Sequence, residues 1–161
     1  MQNSLKWRWR DFYFVGAYTF LHSRRTEPGL GTFPSEFDQT HNLNIIGSYK
    51  RGSWSFGTRL RFVTGRPFTP SMGGIFDSDN DAYRPNNGGF NSARYRNFFQ
   101  WDLRADKKWV FNNWILSAYL DIQNVTNTGN VEAVQYDYDF DQFQEVTGLP
   151  LIPIFGLKGE F

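Results

Sequence analysis

The stretch FQWDLRADKKWVF, Phe99 to Phe111, decides the reading of this chain. Phe99, Trp101, Leu103, Ala105 and Trp109 alternate with Gln100, Asp102, Arg104, Asp106 and Lys108. Successive side chains of a β-strand point to opposite faces, so this pattern gives one apolar face and one charged face. Past the short turn at Asn112 and Asn113, WILSAYLDIQN repeats it. Trp114, Leu116, Ala118, Leu120 and Ile122 oppose Ile115, Ser117, Tyr119, Asp121 and Gln123. Upstream, WSFGTRLRFVTG sets Trp54, Phe56, Leu60 and Phe62 against Ser55, Gly57, Arg59 and Arg61. HNLNIIGSYK sets Leu43, Ile45 and Tyr49 against Asn42, Asn44 and Ser48, and Arg51-Gly52-Ser53 closes a tight hairpin between these two strands. The last segment, PIFGLKGEF, alternates Phe155, Leu157, Gly159 and Phe161 with Ile154, Gly156, Lys158 and Glu160. The first, WRWRDFYFVGAYTFLHS, is strand-like throughout, with a slip near Asp11 that a bulge would produce. The expected fold is all-β, an antiparallel up-and-down meander of about six long strands.

The connections fall into two kinds in strict alternation. Short turns lie near 51–53 and 111–113, and long polar segments near 25–40, 65–97 and 128–150. A soluble meander has no reason to sort its loops in this way, whereas outer-membrane barrels join short periplasmic turns to long extracellular loops. Composition agrees: 17 Phe, 8 Tyr and 6 Trp make 19% of the residues aromatic, a bias toward strands. No run approaches the ~18 apolar residues a spanning helix needs. The mean hydropathy of −0.55 does not count against a membrane barrel, whose alternating strands dilute the signal.

A net charge of +1 with interspersed signs lacks the clustered basic footprint of a nucleic-acid binder. The absence of cysteine excludes a disulfide framework and thiolate metal sites. The N-terminal MQNSLKWRWRD has no apolar h-region, so an exported protein is expected to carry its signal upstream. Trp54, Trp109, Trp114 and Tyr49 near strand ends suit an aromatic girdle at a lipid interface, or alternatively the core of a soluble sandwich. The charged faces favour the girdle, because a sandwich cannot bury them unpaired.

The charged face offers Arg59, Arg61, Asp102, Arg104, Asp106 and Asp121, which either line a ligand path or form cross-strand ion pairs; pairing is the simpler account. In the 65–97 connection, Asp77, Asp79 and Asp81 begin an EF-hand spacing that fails at Ala82 and Gly88. With Tyr83 and Arg84 they are candidate ligand contacts by position, as is the Tyr136–Asp139 stretch. His22 and His41, with Asp38 three residues before the latter, are the only marks of an enzyme. No nucleophile accompanies them, so no enzymatic activity and no cofactor is expected. The Asn124–Thr126 sequon carries no functional weight.

The runs NSARYRNFFQWDLRADKKWVF, AYLDIQNVTNTGNVE and GLPLIPIFGLKGEF resemble the closing strands of TonB-dependent outer-membrane receptors. FDQTHNLNIIGSY and FVTGRPFTP resemble the hairpins before them. The resemblance spans Trp7 to Phe161 and implies that residues 1–161 are the C-terminal part of a barrel of about 22 strands, without the plug domain and signal peptide. It implies uptake of a siderophore, vitamin or oligosaccharide through a plug driven by the TonB complex, with this piece not transport-competent alone. Its partners would be outer-membrane lipid, the remainder of the barrel and plug, and the barrel-assembly machinery, which would read Phe155, Leu157 and Phe161. Two rivals stand beside it. One is a small soluble or self-associating β-barrel that binds a hydrophobic ligand, the other an orphan barrel segment that inserts only as an oligomer.

Overall fold

The computed structural model describes all 161 residues; 65% of them are strand and none is helical, which makes the chain all-β. β1 (Gln2–Trp9) and β2 (Phe12–Phe20) form a hairpin, and the next connection holds β3 (Arg24–Glu27) and β4 (Gly31–Pro34). A second hairpin, β5 (His41–Arg51) and β6 (Trp54–Val63), leads into β7 (Pro67–Phe68), β8 (Ser71–Asp77), β9 (Ala82–Asn87) and β10 (Ala93–Arg94). A third, β11 (Phe98–Val110) and β12 (Ile115–Gln123), is followed by β13 (Val131–Tyr136), β14 (Phe143–Thr147) and β15 (Ile152–Glu160).

Seven strands form one open antiparallel sheet in the order β1-β2-β5-β6-β11-β12-β15, a meander in chain order whose outer strands, β1 and β15, do not pair with each other. Seven is one more than the sequence pattern suggests. The chain reverses at Arg10–Asp11, so that Trp9 faces Phe12 and Gln2 faces Thr19. The slip near Asp11 is therefore a turn, not a bulge. Arg10 takes φ 49° there, a left-handed conformation that hairpins usually assign to Gly or Asn. The β5–β6 turn does have its glycine, Gly52 at φ 58°.

The turns between β1 and β2, β5 and β6, and β11 and β12 are short and lie at one end, and the three long connections lie at the other. The long connections are not plain coil: β3–β4, β8–β9 and β13–β14 are hairpins of their own, and β7 pairs with β10. They also bind one another. Asn91 Nδ2 donates to Pro34 O at 2.8 Å, Arg66 Nη2 to Glu132 O at 2.9 Å, and the Ser71 amide to Tyr136 Oη at 2.9 Å. Gly74 lies against the backbone of Asp139, where any β-carbon would collide with a carbonyl. The three connections thus form one tied cap over the loop end of the sheet.

Register sorts the faces. Cross-strand partners share a face, so Asn44, Arg61 and Gln100 lie on one side with Arg59, Asp102, Arg104, Asp106, Asp121 and Tyr119. The other side carries Trp7, Trp9, Phe12, Phe14, Tyr49, Phe56, Leu60, Trp101, Leu103, Leu120 and Phe155. Nothing packs on it: Val63 is the only buried hydrophobic residue, while Trp54 is 45% exposed and Phe155 68%. A compact chain of 18.9 kDa should expose about 8,300 Å², yet this one exposes 11589 Å². A sheet with one apolar face must bury it against another layer, and this chain supplies none.

Candidate functional site

The polar face carries two charge clusters. Arg59 donates from Nε and Nη2 to Asp102 Oδ2 at 2.9 and 2.7 Å. The other carboxylate oxygen accepts Gln100 Nε2 at 2.8 Å and the Asn124 amide at 2.9 Å. Two residues along β11 from Asp102, Arg104 Nη2 donates to Asp106 Oδ1 at 2.8 Å, with Asp121 Oδ2 on β12 3.6 Å from Nη1. The Arg104 guanidinium lies 4.3 Å from the centre of the Tyr119 ring. That ring lies across Gly156 on β15, a position where a side chain would displace it.

The six charges picked from the sequence are therefore on one face, as the register requires, and five of them are ion-paired. Only the Arg59–Asp102 and Arg104–Asp121 pairs cross between strands; Arg104–Asp106 lies along β11. Arg61 makes no ion pair and covers Phe98 instead, 5.1 Å from its ring centre. A cleft of about 400 Å³ runs between Ser48, Arg59, Asp102, Arg104, Asp121 and Gln123.

Four polar residues, Asp38, Asp102, Asn124 and Asn130, are buried, and they hold the cap to the sheet. Asn130 bonds both backbone groups of Phe99, accepting at 2.8 Å and donating at 2.9 Å. Asn124, at φ 51°, donates to the carbonyls of Thr128 and Leu149 and accepts from the Thr128 amide, which folds the sequon into a tight turn. No buried side-chain nitrogen or oxygen lacks a partner.

Asp38 is fully buried and joins two long connections. The Ser23 amide donates to its Oδ1 at 2.9 Å, Arg94 Nη2 binds Oδ2, and Arg94 Nη1 donates to the Asp38 and Gly65 carbonyls at 2.7 and 3.0 Å. His22 Nδ1 is 3.5 Å from Oδ1. Asp38 thus pairs with His22 rather than with His41, whose Nδ1 is 2.7 Å from Tyr18 Oη. Burial opposes ionisation of Asp38, but the Ser23 amide, Arg94 and His22 outweigh it and hold the carboxyl below its ordinary value of 3.8. A depressed folded-state pKa gives stability that is complete above the unfolded value and is lost as pH falls through the folded one. Hydrogen-exchange protection at the Ser23 amide, corrected for intrinsic rate, should therefore hold from neutrality to about pH 4 and collapse below it. In Asp38→Ala it should already be lost at pH 7. Protection that survives unchanged in Asp38→Ala would overturn this assignment.

The loop candidates converge less. Asp77 is bound by Arg84, by Asn80 Nδ2 at 2.8 Å and by the Asp79 amide at 3.1 Å, so the alternate aspartates shape the β8–β9 turn. Asp79 and Asp81 are exposed, and no group of three His, Cys, Asp or Glu is placed to hold a metal ion. Tyr83 packs edge-on to Phe76 at 5.2 Å and to Tyr138 of the facing hairpin at 6.0 Å. Phe155, Leu157 and Phe161 lie exposed along one face at the β15 edge, with Phe161 stacked on Trp114 at 5.9 Å.

The apolar face has a shallow hollow of about 540 Å³ floored by Trp7, Phe12, Phe14, Phe56, Leu103 and Leu120. It is open to solvent because no second layer closes it. No protein-family model matches this chain, and no curated protein or solved structure matches it.

Proposed function

We propose that the chain is the C-terminal barrel wall of a TonB-dependent outer-membrane receptor, taking part in ligand uptake only with the rest of its barrel and a plug. One observation carries this reading: a single-layer antiparallel meander, apolar and uncovered on one whole face, with short turns at one end and long connections at the other. Lipid is the layer that such a face lacks, and strands of 9 to 13 residues in β2, β5, β6, β11, β12 and β15 are long enough for the roughly 9–11 residues of a tilted spanning strand. On this reading the polar face lines the lumen, and the tied cap is extracellular and meets the ligand. The two open edges, β1 and β15, join the remaining ~15 strands, since an unpaired edge is prohibitive in lipid. Phe155, Leu157 and Phe161 form the strand-end signal offered to the barrel-assembly machinery.

The reading frame upstream of Met1 tests it. An in-frame continuation encoding a signal peptide, a plug and the missing strands is expected. A stop codon with a ribosome-binding site directly before Met1 would overturn the receptor reading.

A second reading, a binder of a hydrophobic ligand, has the 540 Å³ hollow in its favour. Such sites usually enclose most of the ligand surface, and this hollow has a floor without walls.

A further inference from the structure

Three cations lie along the apolar side of the short-turn rim, each beside tryptophan. Arg10, in the β1–β2 turn, lies 5.1 Å from the centre of the Trp9 ring. Lys107 is on the apolar face of β11, 4.5 Å from the Trp54 ring centre and 5.9 Å from that of Trp109. Arg51 closes the same cross-strand row, since Trp54 faces Arg51 on β5 and Lys107 on β11.

None of the three is in an ion pair. The nearest acids do not compensate them. Asp106 belongs to Arg104 on the opposite face, and Asp11 in the first turn has no ion pair. Lys6, Arg8, Lys50, Arg61 and Lys108 of the sheet also lack ion pairs but lie on the polar face, so these three are the unmatched cations of the apolar side.

We propose that this rim binds the phosphate headgroups of anionic phospholipids, with Arg51 and Lys107 gripping a phosphodiester on either side of Trp54 and Arg10 extending the strip. The inference rests on the membrane reading above and adds a lipid partner to it. Three features support it. Unpaired cations need an anion once water is thinned around them. Tryptophan, with an apolar body and a polar N–H, anchors at the headgroup level. Each Lys or Arg near an anionic membrane surface strengthens attachment by about fivefold, an effect that salt screens.

The test is flotation of the complete barrel, this chain refolded together with the strands that close its two open edges, with vesicles of phosphatidylcholine alone or with phosphatidylglycerol added. Association is expected with both, stronger by about tenfold to a hundredfold with phosphatidylglycerol at low salt. Arg10→Gln/Arg51→Gln/Lys107→Gln should lose that preference while still associating with the neutral vesicles. Lys6→Gln/Arg8→Gln/Lys50→Gln removes the same charge at this end and should keep the preference, because Lys6, Arg8 and Lys50 lie on the polar face. Equal association with both lipids, or equal loss in both triple variants, overturns the inference and leaves the membrane reading standing. Loss of the preference on adding inorganic phosphate, against sodium chloride of equal ionic strength, also overturns it, because the site would then be one for free phosphate. No association with either vesicle overturns the membrane reading and this inference with it.

Discussion

Leu103→Arg is expected to destabilise the vesicle-inserted barrel, this chain together with the strands that close its two edges, by about 2–4 kcal/mol, and Trp109→Arg by no more than about 1 kcal/mol from its charge. Leu103 is on the apolar face near the middle of β11, opposite Thr58 on β6 and Ile122 on β12, whereas Trp109 is near the short-turn end. On the membrane reading the first position is at mid-bilayer and the second is at the headgroups. A guanidinium at mid-depth must either lose its hydration or draw water into the lipid, and at the rim it does neither. The measurement is urea unfolding from vesicles of two acyl-chain lengths, followed by tryptophan fluorescence. The difference between the variants should shrink in the thinner bilayer, because Leu103 then lies nearer to water. A soluble binder would also resist an arginine at Leu103, since that residue floors the hollow. Its cost would not depend on acyl-chain length, and a gap that ignores bilayer thickness would refute the lipid-facing assignment.

What the sequence discloses depends on how far apart the interacting residues are and whether a period joins them. Strict alternation in β6, β11 and β12 makes the polar face legible, and the Arg59–Asp102 and Arg104–Asp121 pairs follow once those strands lie side by side. The first hairpin is hidden because Arg10, not Gly or Asn, takes the left-handed turn position. The cap is hidden for another reason. Asp38 and Arg94 are 56 residues apart in non-periodic segments, and no pattern in either announces the other. Asn124 and Asn130 did have a local signal, an Asn in a polar Asn/Thr/Gly stretch just after a strand, but this marks a turn and not which backbone groups it will satisfy. The aspartates of the 65–97 connection mislead in the opposite direction: their spacing suggests a ligand loop, and the structure spends Asp77 on closing its own hairpin.

Asp102→Ala is expected to cost about 2–3 kcal/mol, most of it from the Asn124 amide and not from the ion pair. Asp102 is almost fully buried, while the Arg59 side chain is 60% exposed, so water screens the pair and replaces the carboxylate readily at the guanidinium. The Asn124 amide has no such recourse. It is buried, its acceptor is Asp102 Oδ1, and removing that acceptor leaves an unpaired donor at the point where β12 gives way to the last long connection. Asn124 also holds the carbonyls of Thr128 and Leu149, so the damage should spread into the β13–β14 hairpin. Three variants separate the contributions. Asp102→Asn keeps an acceptor oxygen for the Asn124 amide and should cost about half as much as Asp102→Ala. Arg59→Gln should cost less than about 1 kcal/mol. Hydrogen exchange at the Thr128 amide, which is held by Asn124 Oδ1, should accelerate in Asp102→Ala and stay slow in Arg59→Gln. If Arg59→Gln proves as costly as Asp102→Ala and frees Thr128 equally, then the ion pair and not the buried amide anchors the cap. The polar face would then owe its order to charge, and the cost of losing the pair would shrink with added salt.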